Sequence, residues 1–244
     1  MRRVSSFLVV AVFACGLLVA ACAPAVIPPG SSTTTVAPVD CTLRGPGRDL
    51  HGCDLSYQIL AGVNLASANL NGANLSYSFV PSTCFGANAE FCPNLSYANL
   101  SGANMTGFSA NSGGSANIDM RGANLTGANL TNADLSYVSL NDANLTLVSA
   151  HGATLRDTKL VNADLTGADM AGAILAGMTA YSANFTDADL SQVDFGDAQL
   201  VDANFTGANL TGANLSYANL TGAIWNNTTC PNGVVQTTEC SRTP

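Results

Sequence analysis

Charge is scarce in this chain of 244 residues: Asp, Glu, Lys and Arg together make up 10%, and Lys plus Arg number 8 against 16 acidic residues. Histidine is scarcer still. His51 and His151 are the two imidazoles available, and neither has a Cys or Ser nucleophile at a spacing that argues for a triad. The Gly113-Gly114 stretch lacks the Lys and Ser/Thr of a phosphate loop. No Asp-x-Asp-x-Asp-Gly loop or glycine-rich calcium nonapeptide occurs, so no metal site is expected. Carboxylates are more plentiful, but general acid and base work needs a desolvated pocket, and the convex architecture derived below offers no evident cleft. These absences predict a chain that is not an enzyme, carries no cofactor and does not bind nucleic acid.

What is present is a period of five. The 36 positions from Leu50 to Trp225 taken in steps of five hold 31 large apolar residues, 22 of them Leu, so the period runs through most of the chain. Five is wrong for a helix, and its meaning has to come from strand alternation interrupted by turns. If the central residue i and the small residue at i−2, commonly Ala, point inward, the Asn or Asp at i−1 points to water and i+1 and i+2 carry the turn. Gly62, Gly72, Gly102, Gly127, Gly167 and Gly212 occupy i+2, where a missing Cβ relieves tight backbone geometry. One pentad is therefore one side of a coil. Tyr57, Tyr77, Tyr97, Tyr137 and Tyr217 are congruent modulo 20, which makes the coil four-sided and places them along one outer corner. About nine coils at a strand spacing of about 4.8 Å give a stack of roughly 40 Å. In this register Leu65, Phe85, Met105, Leu125, Leu145, Leu165, Phe185, Phe205 and Trp225 form one internal column, with Phe185 on Phe205.

The tandem motif A-[N/D]-L-x-x, as in Ala68-Asn69-Leu70 and Ala163-Asp164-Leu165, closely resembles the bacterial pentapeptide-repeat family. The resemblance implies an all-β fold, a right-handed quadrilateral parallel β-helix of about nine four-pentad coils. It also implies one alternative function, since characterised members are DNA mimics that bind DNA gyrase, a role open to this chain only if it is cytosolic.

The first 22 residues follow a different pattern: Arg2 and Arg3, an apolar run from Val4 to Ala21, then Val19-Ala20-Ala21-Cys22. This resembles bacterial lipoprotein signals, which implies cleavage before Cys22 and a diacylglycerol on its sulfur. Cleavage without lipid and an uncleaved membrane anchor are the alternatives. The Pro, Ser, Thr and Ala composition of residues 22–40 reads as a tether.

Six further cysteines remain once Cys15 and Cys22 are set aside, in three local pairs: Cys41 with Cys53, Cys84 with Cys92, and Cys230 with Cys240. Spacings of 12, 8 and 10 match no common zinc pattern, and disulfides in an oxidising compartment explain them better. Two pairs fall at the ends of the repeat, as caps over strand edges that could otherwise recruit another chain, which points to a monomer.

The sequence thus divides into a signal peptide (1–21), a lipidated Cys with its tether (22–40), an N-terminal cap (41–53), the repeat (50–225) and a C-terminal cap (226–244). The repeat degrades near 81–92 and 108–117. Phe79, Phe85, Glu90, Phe91 and Phe108 gather at these breaks, either as a recognition bulge pinned by Cys84 and Cys92 or as a tolerated insertion with its Phe residues tucked against the core. Asp187, Asp189, Asp194, Asp197 and Asp202 concentrate acid late in the chain, as an acidic site or as a solvated face. The reading is an extracytoplasmic scaffold held to the membrane through Cys22, structural or protein-binding, whose partner is an unknown envelope protein or none.

Overall fold

Backbone hydrogen bonding accounts for every letter of the repeat. In the pentad 124–128 of the computed structural model, Leu125 N–H donates to Asn144 O at 2.7 Å and Gly127 N–H to Thr146 O at 2.9 Å, both in the following coil, while Asn124 N–H donates to Ala98 O of the preceding coil at 2.9 Å. Ala128 N–H closes the corner turn onto Leu125 O at 2.9 Å. The fifth N–H, of Thr126, donates to Asn124 Oδ1 at 3.1 Å, and the Thr126 hydroxyl donates to the same oxygen at 2.7 Å. The Asn or Asp at i−1 is thus outward-facing as expected, but its oxygen caps the corner as an Asx turn. No N–H of the pentad is left for water to satisfy.

The structure describes residues 39–42, 45–80, 92–110 and 118–241. The signal segment, Cys22, the tether up to residue 38, Cys84, Phe85, Glu90 and Phe91 lie outside the described residues. The i−1 residues form parallel bridges from coil to coil. Asp49, Asp54, Ile59 and Asn64 begin four columns, and Asn69 bridges back to Asp49, which closes a four-sided coil. The corner residue at i+2 is left-handed whether or not it is glycine, with φ of 56° at Tyr57 and 57° at Asp187. Gly is therefore preferred there without being required.

Neighbouring corners decide where Gly is needed. A Cβ added to Gly107 would lie 2.6 Å from Cε1 of Tyr77, whereas one on Gly102 would meet nothing within 4 Å. Both glycines have φ of 62°, so backbone strain is common to the two sites. Gly107→Ala is expected to destabilise by roughly 1–3 kcal/mol more than Gly102→Ala, the usual cost of overpacking. Paired thermal melts check this.

Inside, the central residue and its i−2 neighbour are buried coil after coil, from Leu50 to Leu220. Three centres that are Ala in place of a large residue are compensated within their own pentad: Ala110 by Phe108, Ala150 by Val148, and Ala180 by Met178, all buried. Exchanging the large and small positions keeps the interior volume filled. Buried hydroxyls are satisfied in the same space, with Ser78 donating to Leu75 O at 2.7 Å and Thr158 to Leu135 O at 2.9 Å.

The register departs from the sequence expectation at two steps. Bridges advance by 20 residues along most of the ladder, by 30 across the segment 81–91 (Asn64 to Asn94) and by 25 across 111–117 (Asn94 to Asp119). Three pentads counted in sequence thus stand outside the ladder, and the coil number falls from nine to just over eight. The column begun by Leu65 continues through Leu95 and Met120, while Met105 follows Leu75. From Leu125 onward the expected column holds, and Phe185 stacks on Phe205 with ring centroids 5.2 Å apart and planes 5° off parallel. The tyrosines separate for the same reason: Tyr57 and Tyr77 share a corner and stack at 5.3 Å, Tyr97 aligns with Gly122, and Tyr137 and Tyr217 lie on a third corner.

Disulfides stand at both ends. Cys41 bonds Cys53 with Cα atoms 5.6 Å apart, and Val39 and Cys41 pack against the core there. At the other end Thr229 bridges Asn209, extending the ladder, and β1 (Thr228–Thr229) pairs antiparallel with β2 (Val235–Gln236). Cys230 bonds Cys240 with Cα atoms 5.4 Å apart.

Candidate functional site

Large apolar side chains at outward positions are the feature that the repeat does not need. Tyr57 and Tyr77 occupy one corner, and Ile59 and Phe79 the adjoining face, where the two are bridged. Their exposures of 71%, 52%, 60% and 40% make one contiguous patch across two coils. Ile59 and Phe79 stand at i−1, where Asn or Asp elsewhere caps the corner, so each forgoes that hydrogen bond while remaining in water.

Phe79 is the member of the expected bulge that the structure places at the surface. Phe108 is corrected: it is fully buried, because i−2 points inward and the small Ala110 leaves it room. Cys92 is disulfide-bonded, and the rest of the bulge lies outside the described residues. Sequence reasoning missed Tyr57, Ile59 and Tyr77 as surface partners of Phe79; the signal was the apolar Ile at an Asn/Asp position.

The late acidic residues do not converge. Asp187, Asp197 and Asp202 stand at three different corners. Asp189 and Asp194 lie on two faces, accepting Asn209 Nδ2 at 3.2 Å and Asn214 Nδ2 at 2.7 Å in the next coil. Each carboxylate is engaged by its own corner or ladder, and the arrangement gives no single acidic site.

Cationic groups cluster on the face begun by Asn64, where Asp119, Arg121, Ser139, Asn141 and Lys159 line an open depression of about 310 Å³. Arg121 grips Asp119 in a fork, Nε to Oδ1 at 2.9 Å and Nη2 to Oδ2 at 2.7 Å. These hydrogen bonds hold the Asp119 carboxyl below its ordinary range and raise the guanidinium. His51 does the same to Asp49 with Nδ1 at 2.9 Å from Oδ1, and the Ser56 hydroxyl and N–H to Asp54. A carboxyl lowered in the folded state stabilises above its unfolded pKa and loses that contribution as pH falls through the folded value. Melting temperature should thus hold from neutral pH to about pH 4 and decline below it. Asp119→Asn should cost no more than about 1 kcal/mol at neutral pH and make the acid decline shallower, measurable by melts across the range.

The pentapeptide-repeats family profile matches residues 49–85, 116–149, 151–187 and 188–227 in eight copies. No curated protein sequence matches the chain. Among solved structures, similar ones include HetL, a pentapeptide repeat protein involved in heterocyst differentiation regulation from Nostoc sp. strain PCC 7120, at 27% identity over 78% of this chain and 92% of that one, TM-score 0.45. Rfr23 from Cyanothece 51142 is 31% identical over 37% of this chain and 58% of that one, TM-score 0.31. QnrB1, a plasmid-mediated fluoroquinolone resistance protein, is 21% identical over 68% of this chain and 79% of that one, TM-score 0.32. Superpositions this loose carry no functional inference.

Proposed function

This chain belongs to the pentapeptide-repeat family, and from that premise we propose that it is a membrane-anchored, extracytoplasmic scaffold, structural or protein-binding, without catalytic chemistry of its own. The observation that carries the reading is the disulfide set: Cys41–Cys53, Cys230–Cys240 and the disulfide-bonded Cys92. Such bonds persist in oxidising compartments and are rare in the cytosol. Export then gives the apolar run ending at Val19-Ala20-Ala21-Cys22 its role, and a lipid on Cys22 supplies about 0.8 kcal/mol of membrane affinity per buried methylene. The binding capacity is assigned to the outward apolar patch on the rigid ladder, which costs little ordering entropy when a partner docks.

Metabolic labelling with a fatty-acid analogue tests the anchor. The parent chain should take up label and Cys22→Ala should not. A parent that is unlabelled and found in the cytosol with free thiols would overturn the reading and leave the gyrase-binding alternative in its place.

A further inference from the structure

The coils nearest the N-terminus differ from the rest in charge. Described residues 55–80 and 92–110 contain no Asp, Glu, Lys, Arg or His at all, whereas residues 119–202 hold eleven Asp against Arg121, Arg156 and Lys159. The exposed patch of Tyr57, Ile59, Tyr77 and Phe79 falls wholly inside the uncharged band. The ladder is thus apolar and neutral at one end and acidic further on.

Ring geometry narrows what the patch can meet. Tyr57 and Tyr77 face one another with planes 17° apart, and Tyr77 also covers Gly107. Their faces are largely spent within the ladder, so stacking on a sugar or base is disfavoured, and what they offer outward is ring edges and hydroxyls. Apolar edge with a polar tip is the chemistry of the bilayer interface, where Tyr is enriched. Ile59 and Phe79 add apolar area beside them. Anionic headgroups would repel the Asp-rich coils and leave the neutral band free to approach.

Tether length puts the patch within reach. Cys41 is bonded to Cys53, four residues before Tyr57, and 18 residues separate Cys41 from Cys22. A flexible chain of that length has an end-to-end distance on the order of 25 Å. With the anchor in place, contact between patch and bilayer is intramolecular and needs little intrinsic affinity.

We propose that the first coils lie against the phospholipid surface that holds Cys22, with Tyr57, Ile59, Tyr77 and Phe79 in the interface and the acidic coils held away from it. The inference rests on the anchored reading given above. Trp225, the single Trp, lies near the far end of the ladder and serves as an internal control. The lipidated full chain is reconstituted in phosphatidylcholine vesicles whose acyl chains carry bromine, a short-range quencher. The Tyr57→Trp, Trp225→Phe variant should lose at least about half its emission relative to unbrominated vesicles, and the parent, reporting from Trp225, should lose none. Ile59→Asn with Phe79→Asn restores the repeat's own corner cap, so it should fold, and added to the Trp variant it should abolish most of the quenching. Chain that floats with the vesicles but is equally unquenched at both ends overturns the inference alone, and a second copy or a partner protein becomes the occupant. Chain that does not float overturns the anchored reading and the inference with it.

Discussion

Leu145→Asp is expected to destroy cooperative folding, lowering stability by more than about 4–5 kcal/mol, the range reserved for buried unpaired charge and comparable cases. Leu145 is fully buried, between Leu125 and Leu165 in the column that ends at Trp225. A carboxylate there has no partner and no path to water. Coils of a solenoid support only their neighbours, so a coil that cannot close exposes the coils on either side. One residue away the outcome reverses. Asn144→Asp keeps the oxygen that caps Thr146 and should shift stability by no more than about 0.5 kcal/mol. Urea denaturation of the two variants beside the parent tests the alternation; an Asp at 145 that melts like the parent contradicts the register.

Phe205→Ala should cost about 3–5 kcal/mol. Phe205 stacks on Phe185 at 5.2 Å and on Trp225 at 4.9 Å, and meets Phe195 edge-on at 6.2 Å. Truncation removes the middle ring of a three-ring stack one coil from the Cys230–Cys240 cap and leaves a cavity beside Trp225. The loss should therefore appear both in the urea midpoint and in the near-ultraviolet circular dichroism of Trp225. Phe205→Leu, which installs the residue found at most centres of the repeat, should recover most of the stability. If the alanine variant unfolds at the parent's midpoint, the aromatic stack is not holding the C-terminal coils.

Alternation of inward and outward residues made the coil legible: Leu125, Ala123 and Asn124 announce core, core and surface, and the two-residue corner after each centre follows. The register was less legible for an arithmetical reason. The longer steps, 30 residues from Asn64 to Asn94 and 25 from Asn94 to Asp119, exceed 20 by multiples of five. Counting in fives passes through them unchanged, while any count in twenties, such as the tyrosine corner or the Leu65 column, slips. The role of Asn was hidden differently. The triplets such as Asn124-Leu125-Thr126 were visible as a by-product of the repeat, and their cause is that one Asn oxygen accepts both the N–H and the hydroxyl of the Thr. Phe108 was misplaced because position, not residue type, decides burial in this fold: with Ala110 at the centre, the bulky partner moves to i−2. At the candidate site, Phe79 was read as notable for lying at a break. The stronger reason is structural, since it is bridged to Ile59 and adjoins a tyrosine stack that only the folded ladder brings together.

The account centres on a disulfide-locked ladder held outside the cytoplasm by lipid on Cys22, and the intact mass of the protein purified from the membrane fraction addresses both parts at once. The predicted mass lacks residues 1–21, gains a diacylglycerol with or without a further acyl chain, and falls short of the thiol form by two hydrogens for each of the disulfides at Cys41–Cys53, at Cys92 and at Cys230–Cys240. A full-length, unlipidated mass with every cysteine reduced would contradict it.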